Sequence, residues 1–132
     1  MIGSHKHAAH RQAASMLKVQ GIISIIFGAL GALLGTALMF IFGIGLASTY
    51  SNADTIEFSI FFLGSIVFML IPHVYLIISG IILTRSPEPK LSRLLTIINL
   101  IVGAFSNYIV LVFAIISLVQ ADDYETGYKP IE

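Results

Sequence analysis

Apolar and polar residues follow one another along this chain in long blocks. Three blocks are strongly apolar and free of charged residues, at residues 19–47, 58–84 and 94–120. Each block is longer than the about 20 residues that a helix needs to cross the hydrocarbon core of a bilayer. The pattern predicts an all-α integral membrane protein, a small bundle of three long tilted transmembrane helices.

Polar segments flank and separate these blocks. The predicted organisation is a basic cytoplasmic N-terminal tail at residues 1–17, one transmembrane helical domain at 18–120 and an acidic C-terminal tail at 121–132. Two prolines in "RSPEPKLSR", residues 85–93, end the second helix. The first block is roughly twice as long as the 7–15 apolar residues of a signal peptide, which favours a span over a cleaved leader.

The third block has an alternative interpretation, a fourth helix. Ser106 and Asn107 lie halfway along it and would divide it into a short helical hairpin. Each leg would have about 14 residues and a length of about 21 Å, short of the ~30 Å hydrocarbon core. Small and polar residues also follow helical spacing through the whole block, which favours one continuous helix. They are Thr96, Asn99, Gly103, Ser106, Asn107, Ala114 and Ser117.

Basic residues predict the orientation. In the three-span arrangement, six of them lie on the side of the N-terminus, which the positive-inside rule assigns to the cytoplasm. They are Lys6, Arg11, Lys18, Arg85, Lys90 and Arg93. Lys129 alone lies opposite. We therefore expect a multi-pass protein of the plasma (inner) membrane with a cytoplasmic N-terminus.

Small residues form a stripe along the first span, where a second helix can pack closely. Helices in lipid associate through such close packing and through interhelical hydrogen bonds, because the hydrophobic effect does not drive them together. The predicted packing residues of this span are Gly21, Ser24, Gly28, Gly31, Ala32 and Gly35. Gly103 has the same predicted role in the third block.

Pro72 and His73 are adjacent inside the second block. Proline removes a backbone hydrogen bond and kinks its helix, and His73 is the one histidine in the three blocks, which contain no Asp, Glu, Lys or Arg. Counting helical turns from the cytoplasmic ends puts His73 level with the glycine patch near Leu30 and with Ser106–Asn107. We expect a hydrogen bond to Asn107 or Asn99 that locks the helices, with a proton or ion path as the functional alternative.

Composition excludes several classes of function. The chain is 57% hydrophobic and carries no net charge, which argues against nucleic-acid binding. It has no cysteine, so disulfides and thiolate metal sites are excluded. No motif of a known catalytic constellation is present, and one intramembrane histidine does not suffice for a self-contained haem protein. We predict that the chain is not an enzyme and has no cofactor.

The cluster His5, His7 and His10 is a weak candidate for metal binding. Its spacing matches no strong zinc signature, and neither cysteine nor carboxylate accompanies it. A basic tail beside anionic lipid explains the segment equally well, so no metal site is predicted.

These observations predict a non-catalytic small membrane protein that acts through helix–helix packing. It would be an accessory or assembly subunit of a larger membrane complex, or a homo-oligomeric scaffold. The expected partners are other membrane subunits or further copies of the chain, together with the lipid bilayer, and no soluble substrate is evident. The alternative is a transport or channel component that uses His73 with Asn107 and Asn99.

Overall fold

The computed structural model describes residues 2–48 and 52–128, with side chains from residue 8 onward. Within these ranges all regular structure is helical and no strand is present, so the all-α prediction is confirmed. The elements are α1 (Ile2–Ala47), α2 (Asn52–Gly64), a π-helical segment (Ser65–Leu70), α3 (Ile71–Thr84), α4 (Pro89–Ser106), α5 (Tyr108–Val119) and α6 (Ala121–Gly127). The second to fourth of these form one continuous helix, Asn52–Thr84.

Two helices are long and apolar enough to cross a bilayer. They are the Ala8–Ala47 part of α1 and the continuous helix Asn52–Thr84. They correspond to the first two predicted spans. The third apolar block does not form a helix of this kind; it contains the shorter apolar helix Tyr108–Val119.

The prediction of one continuous third helix is wrong, because the block is broken at Asn107. This residue has an extended backbone, with φ −157° and ψ 110°, and its side-chain Oδ1 accepts hydrogen bonds from the backbone N–H groups of Ile109 and Val110. Asparagine competes in this way with the backbone of a helix and caps the next one. The alternative helical hairpin at Ser106–Asn107 is the arrangement that the structure has.

Gly103 allows the two legs of this hairpin to approach closely. A Cβ atom added there would lie 2.6 Å from the backbone nitrogen of Leu111, which is closer than side-chain carbons pack. The small residues of α4 and α5 therefore face one another across the hairpin. Two facing legs produce the same spacing of small residues as one continuous helix, which is why the stripe misled the sequence analysis.

One compact unit of the chain contains residues 1–26 and 76–132. At one end of it, α6 joins the N-terminal part of α1 and the turn that follows α3. The Tyr124 hydroxyl donates to the carbonyl of Pro87, and His10 Nδ1 lies 2.9 Å from the Tyr124 carbonyl oxygen. Arg93 adds exposed ion pairs to Asp122 and Glu125, at 3.0 and 3.1 Å. The predicted acidic tail thus begins with a helix packed on the rest of the unit.

Tyr124 keeps its phenolic proton across the physiological pH range. Burial, with a smaller contribution from Tyr128, raises the pKa of Tyr124 to about 12 from the usual 10.0. A protonated hydroxyl is required for the hydrogen bond to the Pro87 carbonyl, because a carbonyl oxygen only accepts. The contact that holds α6 to the turn is therefore present at neutral pH.

A second compact unit covers residues 27–75, in which the later part of α1 packs on the helix that follows it. Gly35 lies against Met69, and a Cβ atom at Gly35 would be 3.1 Å from the Met69 Cβ. The rings of Phe42 and Phe61 are stacked with centroids 5.1 Å apart. Small residues and stacked rings thus provide the packing of this unit.

Replacing Asn107 tests its role as the cap of α5. We expect Asn107→Ala to lower the free energy of unfolding by about 1 kcal/mol, because two backbone N–H groups lose their acceptor. Asn107→Ser, which retains a capping oxygen, is the matched control and should stay close to the parent. Denaturant unfolding in detergent, followed by circular dichroism, measures both. Equal stability of the two variants would contradict the capping role.

Candidate functional site

His73 lies directly after a local change in helix winding. The backbone N–H of Ile71 bonds to the carbonyl of Ile66, five residues earlier, and Pro72 then supplies no N–H. His73 Nδ1 is 2.6 Å from the carbonyl oxygen of Met69. Since a carbonyl only accepts, Nδ1 carries the proton in this hydrogen bond. In the neutral ring, Nε2 is then the free acceptor.

The ring of His73 is buried against Gly31 of α1. A Cβ atom added at Gly31 would overlap the ring at its Cδ2, Cγ and Nε2 atoms. Glycine is therefore required here for close approach and not for backbone conformation. The depth count from the sequence predicts this contact of His73 with the glycine patch.

The asparagines predicted to bind His73 make other hydrogen bonds. Asn99 Oδ1 accepts from the Ser79 hydroxyl at 3.0 Å, which links α4 to α3. The Asn107 side chain caps α5, and the Ser106 hydroxyl donates to the Val102 carbonyl in its own helix. The hydrogen bond of His73 to Asn107 or Asn99 stays a prediction.

The interior of the first unit contains polar side chains among apolar ones, although many large apolar side chains lie on its surface. The buried polar residues from its helices are Gln20, Ser24, Ser79, Ser92, Thr96, Asn99 and Ser117. Thr96 Oγ1 donates to Gln20 Oε1 at 3.4 Å, which links α4 to α1. Helical spacing predicted Ser24 and Asn99 but not Gln20 and Ser79. A signal for Gln20 was available, because Gln20 and Ser24 are four residues apart and share one helix face.

Several polar atoms in this interior are unsatisfied. Within residues 8–48 and 52–128, the buried atoms without a hydrogen-bond partner are Gln20 Nε2, Ser24 Oγ, Asn99 Nδ2, Ser117 Oγ and Gln120 Oε1. A buried polar group without a partner costs about 1–3 kcal/mol, so such groups are uncommon in folded proteins. The cluster has capacity for further hydrogen bonds.

Backbones approach most closely beside this cluster, at Gly21 of α1 and Gly80 of α3. A Cβ atom at Gly21 would be 2.6 Å from the Gly80 carbonyl oxygen, and one at Gly80 would overlap the Gly21 carbonyl. Gly21 was predicted as a packing residue, whereas Gly80 was not. The short separation brings Gln20, Ser24 and Ser79 into one interior.

The polar groups of the sites described above are amides, hydroxyls and an imidazole. The predicted histidine cluster is described only in part, since the side chains of His5 and His7 lie outside the described residues. His10 stacks on Tyr124 with ring centroids 5.2 Å apart. Among the described side chains, no group of three or more histidine, cysteine or acidic residues could hold a metal ion.

No protein-family model, curated protein or solved structure matches the chain.

Substitution of Gly31 tests the contact with His73. We expect Gly31→Ala to destabilise the protein by about 1–3 kcal/mol, because the added methyl group overlaps a buried ring. Gly64→Ala is the matched control, since a Cβ atom there meets nothing within 4 Å and the backbone is already helical. We expect this variant to raise the free energy of unfolding by about 0.5–1 kcal/mol. Thermal unfolding in detergent measures both.

The double variant Gly31→Ala/His73→Ala shows whether the loss of stability in Gly31→Ala comes from overlap with the His73 ring or from a general effect on α1. Removing the ring makes room for the new methyl group, so the cost of Gly31→Ala should largely disappear in the His73→Ala background. The same cost in both backgrounds would refute the proposed clash.

Proposed function

We propose that the chain is a non-catalytic, multi-pass protein of the plasma (inner) membrane that works through helix packing. In this proposal it is an accessory or assembly subunit of a larger membrane complex, or a scaffold formed by several copies. The two long apolar helices and the apolar surface of the hairpin legs support membrane insertion.

The contacts of Tyr124 support one orientation. They join the N-terminal part of α1, the turn after α3 and α6 at a single end of the first unit. Arg11, Arg85, Lys90 and Arg93 belong to this end, and the positive-inside rule assigns it to the cytoplasm. We therefore propose that α6 is cytoplasmic together with the N-terminus, unlike in the three-span arrangement.

The observation that carries the proposed role is the short hairpin of α4 and α5. The 12 residues of α5 extend about 18 Å, against about 30 Å for the hydrocarbon core. A hairpin that begins at the cytoplasmic face would therefore turn within the membrane. Phe105 and Tyr108, beside the turn, are 89% and 76% exposed.

A helix break inside the membrane needs a neighbour other than lipid. The Gly103 carbonyl accepts from the Asn107 N–H, but no N–H of α4 follows to bond the carbonyls of residues 104–106, and hydrocarbon offers no hydrogen-bond donor. Irregular backbone at membrane depth occurs where protein covers it or where it lines a water-filled cavity. A partner subunit or a second copy that packs over the turn would supply this cover.

Photo-cross-linking at the turn tests this proposal. We expect benzoylphenylalanine at Phe105, activated in native membranes, to give a cross-linked protein product. Phe40 of α1 is the matched control, because it is also an exposed phenylalanine, at 62%, but lies in an uninterrupted helix. It should give mainly lipid adducts.

Mass measurement identifies the neighbour. A cross-linked product with the mass of a dimer would indicate self-assembly, and any other mass would indicate a different subunit. Lipid adducts alone at Phe105, with a monomeric particle in mild detergent, would count against the assembly role.

A second candidate is a transport or channel component centred on His73. The π-helical turn and Pro72 beside a buried histidine favour it, because π-turns within α-helices are frequent at functional sites. In this candidate His73 exchanges protons, with Asn99 and Asn107 as the other polar groups of the pathway.

Replacement of His73 distinguishes the two candidates. If His73 carries protons, liposomes containing the parent protein should acidify under a potassium diffusion potential, and His73→Leu should abolish this flux. A pH-sensitive dye inside the liposomes reports it, with His10→Leu as the control histidine variant. Equal flux in the parent and His73→Leu, with both correctly folded, would remove the transport candidate.

A further inference from the structure

A small cavity lies within the first unit, among α1, α4 and the junction of α5 with α6. Its size is about that of one water molecule. The side chains around it include Leu17, Thr96, Ser117, Gln120 and Tyr124. Leu17 and Tyr124 close its apolar side, and the other three supply oxygen and nitrogen atoms.

Two of the unsatisfied polar atoms belong to this cavity. Ser117 Oγ and Gln120 Oε1 have no hydrogen-bond partner among the described residues, and Ser117 is 3% exposed. The hydroxyl of Thr96 donates over a long 3.4 Å to Gln20 and can still accept. A cavity of this size with two or more polar neighbours meets the conditions for a bound water.

Hydrogen-bond chemistry defines the ligand. The Gln120 oxygen only accepts, so the ligand must donate, whereas the hydroxyls of Ser117 and Thr96 can each donate or accept. Arg93 also lines the cavity, and its positive charge is already paired with the carboxylates of Asp122 and Glu125. The site therefore suits a neutral molecule that both donates and accepts and is no larger than water.

We propose that this cavity is a specific water site that joins α5, α4 and the start of α6. The water donates to Gln120 Oε1 and exchanges hydrogen bonds with the Ser117 and Thr96 hydroxyls. Gln120 directly precedes α6. The bound water therefore fixes the start of the helix that carries Tyr124, whose hydroxyl donates to the Pro87 carbonyl. This inference is independent of the proposed assembly role.

Radiolytic hydroxyl labelling tests the site, because a short X-ray pulse converts bound water into radicals that modify adjacent side chains. The matched pair is Leu17, which lines the cavity, and Leu83, which does not; both are leucines of the first unit and are buried, at 4% and 0% exposure. With the full-length protein in detergent, we expect Leu17 to be labelled severalfold faster than Leu83. Equal rates would overturn the proposal.

A variant without the two polar atoms distinguishes labelling of Leu17 by bound water from labelling by bulk solvent. Ser117→Ala/Gln120→Met removes both unsatisfied oxygens with little change in volume. The Leu17 rate should fall to the Leu83 rate in this variant, with its fold checked by circular dichroism and gel filtration. A fast Leu17 rate that persists in the folded variant would assign the labelling to bulk solvent and would refute a specific site.

Discussion

Close approach between helix backbones at glycine is the constraint on which the rest of this structure depends. In the first unit, Gly21 and Gly80 bring α1 and α3 into backbone contact, and in the second unit Gly31 makes room for the ring of His73. A methyl group at any of these positions would overlap a neighbour. Small residues are the main means by which helices associate in lipid, so these contacts are the basis of the packing.

The same close approach makes a polar interior possible. Polar side chains next to Gly21 and Gly80 form hydrogen bonds with residues of α4. Ser79 with Asn99 and Thr96 with Gln20 are the resulting hydrogen bonds between helices. Such bonds typically contribute about 0.6–2 kcal/mol each in membranes. The polar interior therefore adds specificity to packing that glycine alone would leave loosely determined.

Sequence patterns predicted the features that depend on local composition. Length and hydropathy indicated the two long helices, and helical spacing indicated Gly21, Gly31 and Gly35 as sites of close contact. Ser79 and Gly80 were missed because they form a single short pair between apolar residues, and their importance comes from the partner helices. The expected hydrogen bond of His73 to Asn107 or Asn99 rests on depth alone and stays a prediction. The Oδ1 of Asn107 caps α5, which depth does not reveal.

The break at Asn107 contradicts the prediction of one continuous helix, although the estimated leg lengths behind that prediction were reasonable. Each predicted leg of about 14 residues is shorter than the hydrocarbon core, and this length favoured one continuous helix over the hairpin. That inference assumes that every apolar helix must span the membrane. A hairpin that enters and leaves from the same side has no such requirement, but its turn needs polar cover. The side-chain cap from Asn107 provides this for the first N–H groups of α5. At the other end of the break, the Asn107 N–H bonds to the Gly103 carbonyl, but the carbonyls of residues 104–106 have no partner from their own helix, so a turn placed in hydrocarbon would require a neighbour.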